Sequence, residues 1–301
     1  MCVGFWSLEH PDYALILCSN RDEFLSRPTA PAHFHSFEEV GKDPGSDGFV
    51  LSGRDLKAGG TWLGINRAGR VALLTNITEE AKPYETSRGE LVSSFLLSGS
   101  RGLGPLREHM SSLIAENAQY AGFNLLLLSP SDNGSASLSF EAGYVTNHGG
   151  GGCVTARPLT DAERRVGGLS NGVDGKGAEE WPKVKQGVEM FADVLGSIDD
   201  STTQLELSER LFHLLTWKSD SPPRERTDLR NTIQIEPLSI RVSPTSGTNL
   251  HYGTRLSTVI LIGRDGRVLF VERDIWMLDG ENKVSRADAK NQRVFQFNLG
   301  P

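Results

Sequence analysis

Two short stretches near the amino terminus carry the side chains best suited to chemistry. The first is Cys2, which follows the initiator methionine, and the second is the charged stretch 20–23, Asn-Arg-Asp-Glu. Methionine aminopeptidase removes the initiator when the next side chain is small, so Cys2 is predicted to begin the mature chain. A terminal cysteine places an α-amine with a pKa near ~8 beside a thiol with a pKa near ~8.5. The amine can then act as the base for its own thiol, without a separate histidine.

The elements around these two stretches predict that they meet in space. Residues 2–8 and 13–19 are apolar runs joined by His10, Pro11 and Asp12, a pattern typical of a β-hairpin. The antiparallel return of the second strand places residues 18–22 opposite Cys2 or just beyond it. The hairpin therefore predicts contact between the cysteine and the charged stretch.

The rest of the chain predicts strands and helices in separate runs. Residues 26–53 show little periodicity and are interpreted as a long loop or lid. Ser87 and Glu90 predict a capping box that opens a helix at 87–96. The other predicted elements are a hairpin at 59–66 and 71–76; a helix at 103–117; strands at 123–129, 136–140 and 143–147, with a turn at 141–143; helices at 181–195 and 205–217; a surface linker at 218–228; a hairpin at 254–263 and 268–273; and a closing strand at 294–299. Residues 229–247 show no assignable pattern.

The order of these elements favours one fold class. Strands and helices are grouped in runs instead of alternating strictly, which indicates an antiparallel α+β layered fold and not a doubly wound one. The sequence contains no internal repeat and no sharp boundary. A single domain over residues 1–301 is therefore predicted.

Composition excludes several classes of function. The 301 residues are 38% hydrophobic and 23% charged, with a net charge of −7, so we expect no nucleic-acid partner. The cysteines Cys2, Cys18 and Cys153 are widely spaced and form no CxxC pair, which predicts neither a disulfide framework nor a metal site. No secretory signal or transmembrane stretch is recognisable, so the cytoplasm is the expected location.

Eight short motifs, in order along the chain, resemble the NRDE family. They are 19–24 with its Asn-Arg-Asp-Glu core, 26–28, 59–64, 74–76, 88–91, 122–125, 169–171 and 252–255. That family is typified by transport and Golgi organisation protein 2 and is grouped by fold with the N-terminal-nucleophile hydrolases. The resemblance implies a four-layer αββα sandwich, in which two antiparallel sheets lie between helical layers.

The resemblance also implies roles for individual residues. Cys2 matches the nucleophile of the cysteine-dependent hydrolases in that superfamily, and Asp22 matches the carboxylate that orients the terminal amine. Asn76 and Asn171 match the two asparagines of the oxyanion hole, each of which can lower the barrier by roughly 3 kcal/mol when preorganised. Turn formation at strand ends is the alternative role for both. Asn20 is a candidate partner behind Asp22.

Several residues of these motifs are candidates for contacting a ligand, and they are Asn20, Arg21, Glu23, Trp62 and Arg255. The related hydrolases carry an arginine three positions before the aspartate, where this chain has Ser19. Strand alternation turns Arg21 to the face opposite Asn20 and Asp22. A structural ion-pair cluster that stabilises the hairpin is the alternative interpretation of residues 21–23.

Two functions of different class follow from these observations. The resemblance implies intracellular trafficking, with the cleft holding haem, acyl-coenzyme A or an acyl lipid, and with peripheral association with mitochondria or the Golgi. The alternative is hydrolysis of a linear amide or acyl derivative through an acyl-enzyme on Cys2. Neither requires a cofactor. Haem is a possible ligand, for which a thiolate from Cys2 and one of four histidines predicted in loops would be the iron ligands, and these are His33, His35, His148 and His251.

Overall fold

The computed structural model contains more β-strand than helix. It describes residues 2–37, 48–80, 82–98, 104–116, 118–131, 137–241 and 249–300. The strands are β1 (Val3–Ser7), β2 (Tyr13–Phe24), β3 (Thr29–His35), β4 (Val50–Asp55), β5 (Leu63–Asn66), β6 (Val71–Asn76), β7 (Phe123–Pro130), β8 (Phe140–Thr146), β9 (Thr155–Pro158), β10 (Gly167–Leu169), β11 (Leu238–Arg241), β12 (Asn249–Gly263), β13 (Arg267–Asp274), β14 (Trp276–Leu278), β15 (Val284–Arg286) and β16 (Gln292–Asn298). The helices are α1 (Arg88–Ser98), α2 (Leu106–Ala115), α3 (Asp161–Arg165), α4 (Pro182–Gly196) and α5 (Gln204–Leu214), with a 3-10 helix at Arg226–Asn231.

The long strands form two antiparallel sheets of seven strands each. The first sheet has the order β10-β1-β2-β12-β13-β16, with β11 also paired to β12. The second sheet has the order β3-β4-β5-β6-β7-β8-β9, so it follows the chain strand by strand. Strands β1 and β2 therefore lie inside the first sheet, with neighbours on both sides.

Three apolar clusters separate four layers. The largest lies between the sheets and contains Trp6 and Leu17 of the first sheet and Leu73 of the second. A second cluster joins the first sheet to α4 and α5, and a third joins the second sheet to α1 and α2. Each fully buried side chain of this kind contributes roughly 1.5–3 kcal/mol of hydrophobic free energy. The architecture is thus an αββα sandwich, which confirms the predicted fold class.

The alternation of β2 determines which side chains can reach the layer on each side of the sheet. Leu15 and Leu17 point into the space between the sheets, whereas Ile16 and Cys18 pack against the α4 and α5 layer. Continuing this period of two places Arg21 on the side of the second sheet and Asp22 on the side of the helices.

Several predicted elements are confirmed. The opening hairpin is β1 and β2, the second hairpin is β5 and β6, and the last clear hairpin is β12 and β13. Helices α1, α2, α4 and α5 lie within the predicted helical stretches or extend at most two residues beyond them. The closing strand is β16, at Gln292–Asn298.

The prediction of a long loop at 26–53 is wrong, because β3 and β4 occupy much of this stretch. Strand β3 contains Pro31 and a register irregularity between Ala30 and His33, which hides the alternation by which strands are recognised. Residues 38–47 lie outside the described part of the chain.

The turn predicted at 141–143 is also wrong, because β8 runs straight through it. Gly143 was interpreted as a turn residue, but it is needed for packing: a Cβ there would lie 2.2 Å from the Met110 sulfur of α2. Of the strand predicted at 136–140, only Phe140 is in a strand, as the first residue of β8. Residue 136 lies outside the described residues. The unassigned stretch 229–247 contains the end of the 3-10 helix and β11, and its residues 242–248 are not described.

The histidines predicted in loops need a further correction. His33 and His35 belong to β3, and His251 belongs to β12, whereas His148 does lie in a loop. Within the described residues, no helix is both long enough and apolar enough to span a bilayer.

Candidate functional site

A cavity of about 120 Å³ lies at the ends of β2 and β6 and at the start of α1. Six of the residues predicted from the sequence line it, and they are Cys2, Arg21, Asp22, Glu23, Trp62 and Asn76. The other lining residues are Arg27, Asp55, Thr61, Leu74, Ser87, Arg88 and Gly89. The structure therefore gathers most of the predicted residues in one place.

The pairing of β1 with its neighbours positions Cys2 in this cavity. Extending the register of β1 and β2 by one residue places Cys2 opposite Arg21. The half-buried Cys2 thiol lies 3.8 Å from the backbone carbonyl oxygen of Asp22. The Cys2 carbonyl accepts a hydrogen bond of 2.8 Å from the hydroxyl of Ser170, which follows β10 on the other side of β1. The cysteine is therefore held by the chain on both sides of its strand.

Asp22 lies directly behind the cysteine, with 4% of its surface exposed. One carboxylate oxygen accepts a 2.6 Å hydrogen bond from the hydroxyl of Thr254. The register of β2 against β12 shifts just after Thr254, and such a bulge changes the direction of a side chain. Burial raises the pKa of Asp22, while the charge of Lys183 and the hydrogen bond from Thr254 act in the opposite direction.

Lys183 was not among the residues predicted from the sequence. It is the second residue of α4, and its side chain is fully buried. Burial lowers the pKa of Lys183 to about 8, and electrostatic interaction with Asp22 and Cys2 opposes that change. A signal for this residue does exist in the sequence, because Lys183, Gly187 and Phe191 recur every four residues and share the buried face of the helix.

Arg21 faces the second sheet, as strand alternation predicts. Its guanidinium stacks 3.8 Å from the centre of the Trp62 ring and donates a 3.2 Å hydrogen bond to the Thr29 hydroxyl. Only 5% of its surface is exposed. Burial lowers the pKa of Arg21, and Glu23 is the largest of the charges that oppose this change. Among the described residues, Arg21 makes no ion pair with a carboxylate.

Arg88 lines the cavity and was not predicted as a site residue, although it belongs to one of the motifs. It begins α1, and its Nη1 donates a 3.0 Å hydrogen bond to the Gly122 carbonyl. Two glycines let the start of the helix approach the cavity wall, since a Cβ on Gly60 would lie 2.5 Å from the backbone of Gly89. Burial lowers the pKa of Arg88, while Glu79 and Glu23 oppose this change.

Glu23, Arg27 and Asp55 form a compact charged group on the cavity wall. An Nη of Arg27 lies 2.6 Å from an oxygen of Asp55, and its Nε lies 3.9 Å from an oxygen of Glu23. The other oxygen of Glu23 accepts a 2.8 Å hydrogen bond from the Phe24 amide. Part of the ion-pair cluster considered for residues 21–23 thus exists, but Glu23 pairs with Arg27 and not with Arg21.

Asn76 and Asn171 lie close together but have different surroundings. Asn76 is half-buried and lines the cavity. Asn171 lies behind it, and its side-chain amide donates a 2.5 Å hydrogen bond to the backbone carbonyl of Asn76. Its amide oxygen lies 3.1 Å from the Ser170 hydroxyl, the same group that holds Cys2. The oxyanion roles of both asparagines stay predictions.

Asn20 and Arg255 do not line the cavity. The amide nitrogen of Asn20 donates to the carbonyls of Leu215 and Ile233, at 2.9 and 3.2 Å, and its oxygen accepts from the Ser257 hydroxyl at 2.6 Å. Arg255 donates to the Arg27 carbonyl and, at 3.1 Å, to the Thr29 hydroxyl that also binds Arg21. Asn20 thus anchors the helical layer to β2, and Arg255 lies behind Arg21.

The described residues contain no group of three or more histidine, cysteine or acidic side chains arranged to hold a metal ion. None of the four candidate haem-ligand histidines lines the cavity that contains Cys2. His35 bonds to the Ser52 hydroxyl at 2.9 Å, and His148 bonds to the Thr155 hydroxyl at 2.7 Å. The positions of the described residues therefore do not fit a haem whose iron is bound by both Cys2 and one of these histidines.

Fold and site together define a class, the four-layer αββα proteins whose first strand begins beside a cavity-lining cysteine. The chain belongs to the Transport and Golgi organisation 2 family, whose model matches residues 1–277.

Curated relatives carry the same family name. The chain is 32% identical to the Bos taurus Transport and Golgi organization protein 2 homolog, with 91% of this chain and 93% of that protein covered. It is 30% identical to the Mus musculus homolog, covering 93% and 94%, and 27% identical to the Drosophila melanogaster protein, also covering 93% and 94%.

Solved structures with a related layout share little sequence with this chain. A Caenorhabditis elegans N-acylethanolamine-hydrolyzing acid amidase ortholog has a TM-score of 0.48 and 10% identity, covering 86% of this chain and 92% of its own. A variant of conjugated bile acid hydrolase from Clostridium perfringens has a TM-score of 0.49 and 12% identity, covering 99% and 98%.

Proposed function

We propose that this protein hydrolyses an acyl derivative through Cys2. The observation that supports the proposal most directly is the position of the Cys2 thiol, which lines a cavity in front of two buried ionisable groups, Asp22 and Lys183. Burying charged groups lowers stability unless they are paired, and such clusters are common at functional sites.

In the proposed reaction, the α-amine of a chain that begins at Cys2 takes the thiol proton. The thiolate attacks the acyl carbonyl carbon, the bond to the amine, alcohol or thiol leaving group breaks, and the ammonium returns its proton to that group. Water then attacks the thioester, transfers a proton to the amine, and releases the carboxylic acid while the thiol is restored.

The surrounding residues have distinct roles in this proposal. Asp22 accepts a hydrogen bond from the terminal ammonium and orients it, and Thr254 holds the carboxylate in place. The side-chain amide of Asn76 faces the cavity from which the acyl oxygen would approach, and it is the candidate oxyanion donor. Asn171 positions Asn76 through its hydrogen bond to the Asn76 carbonyl.

The proposal is tested by trapping the acyl-enzyme. Wild-type protein is mixed with short and long p-nitrophenyl esters and acyl thioesters, quenched in acid, and mapped by peptide mass spectrometry. We expect an acyl adduct on Cys2 and product formation that Cys2→Ala abolishes. Cys153→Ala is the matched control, since Cys153 is exposed and does not line the cavity, and it should retain both signals. Turnover that survives Cys2→Ala would contradict the proposal.

Family membership supports a second candidate function, in which the cleft holds an acyl lipid or acyl-coenzyme A during intracellular transport, with association with the Golgi or mitochondria. In that case binding needs the cavity but no chemistry at Cys2. Titration with a non-hydrolysable acyl analogue distinguishes the two. Binding that is unchanged after the terminal amine is blocked, together with no acyl adduct, favours transport.

A further inference from the structure

Two arginine side chains line the cavity beside Cys2 and form no ion pair with a carboxylate in the part of the chain that the structure describes. The guanidinium of Arg21 is almost fully buried, and its contacts are the Trp62 ring and the Thr29 hydroxyl. The guanidinium of Arg88 is half-buried and donates to a backbone carbonyl. Neither makes an ion pair with any residue that the structure describes. A buried charged group that forms no ion pair lowers the stability of the fold. Its presence therefore suggests that an anion binds there.

The acidic residues around the cavity are engaged elsewhere. Asp22 interacts with Lys183 and Thr254, and Asp55 pairs with Arg27. The two carboxylate oxygens of Glu79 accept hydrogen bonds from the backbone amides of Gly122 and Gly150, at 2.6 and 2.7 Å. Glu23 is the remaining carboxylate on the cavity wall, and it lies 3.9 Å from Arg27 while also binding the Phe24 amide. The charges of Glu23 and Glu79 reach Arg88 only across a distance, and among the described residues no carboxylate forms an ion pair with Arg21 or Arg88.

Two further features add positive potential at the same wall. The 11-residue helix α1 begins at the cavity, where Arg88, Gly89 and the preceding Ser87 are lining residues, and a helix N-terminus carries a partial positive charge. Arg255 lies behind Arg21, and both donate to the hydroxyl of Thr29. The pKa of Arg255 is lowered to about 10, first by burial and then by the charge of Arg21.

We infer that Arg21 and Arg88 bind an anionic group, a carboxylate or a phosphate, on the molecule that occupies the cavity with Cys2. The inference deepens the proposed function, on which it rests for the identity of the site, because it makes the substrate an acyl compound with a negative charge near its acyl carbon. A cavity of about 120 Å³ has room for roughly four water-sized groups, which suits one small anionic group and a reacting carbonyl. Arg21, stacked on Trp62, provides a rigid donor, and Arg88 provides a second from the helix end.

The first test compares two alkylating reagents that differ in charge, anionic iodoacetate and neutral iodoacetamide. Their rate ratio at one thiol is independent of how much thiolate is present, since both react with the same thiolate. Exposed Cys153 supplies the reference ratio within the same protein. We expect the ratio at Cys2 to exceed that at Cys153 by about tenfold, the effect of one charge-assisted hydrogen bond.

Variants then assign the preference to these arginines. Arg88→Gln should reduce the ratio at Cys2 to about the value at Cys153, and Arg88→Lys should retain part of it. Arg107→Gln is the control, because it makes the same change of charge on the exposed surface of α2 and should leave the ratio unchanged. Equal ratios at Cys2 and Cys153 in the wild type, or no change in Arg88→Gln, would overturn the inference.

Binding of simple anions provides a readout that needs no reaction at the thiol. Inorganic phosphate and acetate are each titrated while Tm is measured, because a ligand that binds the folded state raises Tm. A rise of Tm in the wild type that is lost in Arg88→Gln and kept in Arg107→Gln supports the inference, and the more effective anion identifies the group. No difference between wild type and Arg88→Gln for either anion contradicts it.

Failure of this inference is distinguishable from failure of the proposed function. Anion binding and the alkylation ratio do not require an acyl-enzyme, so they can hold when no acyl adduct forms on Cys2. Conversely, an acyl adduct that forms equally fast with neutral and anionic acyl donors would keep the hydrolase proposal and remove the anionic substrate class.

Discussion

Two groups of charged side chains, one at the edge of the first sheet and one at the cavity beside Cys2, differ in how completely their charges are paired. At the edge of the first sheet formed by β13 and β16, the carboxylate of Glu272 is 1% exposed. It accepts a hydrogen bond of 2.9 Å from Arg293 and one of 2.7 Å from the Ala32 amide. Arg293 also binds both oxygens of Asp274, at 2.7 and 2.8 Å. Because Ala32 belongs to the second sheet, this group also joins the two sheets.

The cavity group is different, since two of its cations have no carboxylate in the described protein. Arg21 and Arg88 face the space beside Cys2, whereas Arg293 is enclosed by its partners. Burial of charged side chains alone therefore does not identify a functional site. A group that is neutralised by its own residues stabilises the fold, and a group with unmatched charge is suited to a ligand.

The largest expected effect on stability comes from removing the arginine that pairs with Glu272 and Asp274 at the edge of the first sheet. Arg293→Leu leaves the carboxylates of Glu272 and Asp274 without their partner. We expect the free energy of unfolding to fall by about 3–5 kcal/mol, measured by urea denaturation at pH 7. The alkylation ratio at Cys2 should stay at its wild-type value. An unchanged free energy of unfolding in this variant would show that the ion pairs of Arg293 with Glu272 and Asp274 do not stabilise the fold.

Lys183 predicts a pH dependence of stability. Its pKa is lowered from 10.5 to about 8 in the folded state, so the folded protein binds fewer protons than the unfolded chain between these values. Stability therefore rises with pH across this window and is lost as pH falls through about 8. The difference corresponds to about 3 kcal/mol. Urea denaturation at several pH values should show this contribution in wild type and not in Lys183→Met. Equal pH dependence in the two proteins would contradict it.

Asn20 tests whether every residue of the motif serves the cavity. Asn20→Ala removes three hydrogen bonds to buried groups and leaves the carbonyls of Leu215 and Ile233 without this donor. We expect a loss of about 2 kcal/mol in unfolding free energy, with anion binding unchanged. A selective loss of anion binding at full stability would instead make Asn20 a ligand-binding residue, as first expected from the sequence.

The smallest expected effect on stability belongs to Arg88→Gln. Removing a half-buried cation without a carboxylate partner should change the unfolding free energy by less than about 1 kcal/mol. The same substitution should abolish the preference of Cys2 for the anionic reagent. A large destabilisation would make Arg88 similar to Arg293 and would remove the distinction between the two groups.

Local patterns were sufficient to predict much of the fold. The hairpin of β1 and β2 follows from two apolar runs around a turn, and the helices follow from their periodicity. Strand β3 could not be recognised, since Pro31 and the irregularity beside it interrupt the alternation. Gly143 signals a turn by its type, whereas its actual role depends on the approach of Met110 from a distant helix.

The candidate site was predictable to the extent that its residues belong to motifs. Cys2 and Asp22 meet through a hairpin, which the sequence encodes locally. Lys183 lies far from Asp22 along the chain, and an isolated lysine near a helix start is usually solvated. That no described carboxylate forms an ion pair with Arg21 was not predictable, because Glu23 follows it closely and the choice of Arg27 as the partner of Glu23 depends on the turn after β2.

The proposed reaction requires that Cys2 begin the mature chain and that its thiol be accessible. Intact mass is measured on the purified protein before and after treatment with an aldehyde that forms a thiazolidine, which requires a free α-amine and a free thiol on the same cysteine. We predict a mass lacking Met1 and one adduct per chain, which disappears in Cys2→Ala. A mass that retains Met1, with no adduct, would contradict the proposed reaction and leave anion binding without acyl chemistry.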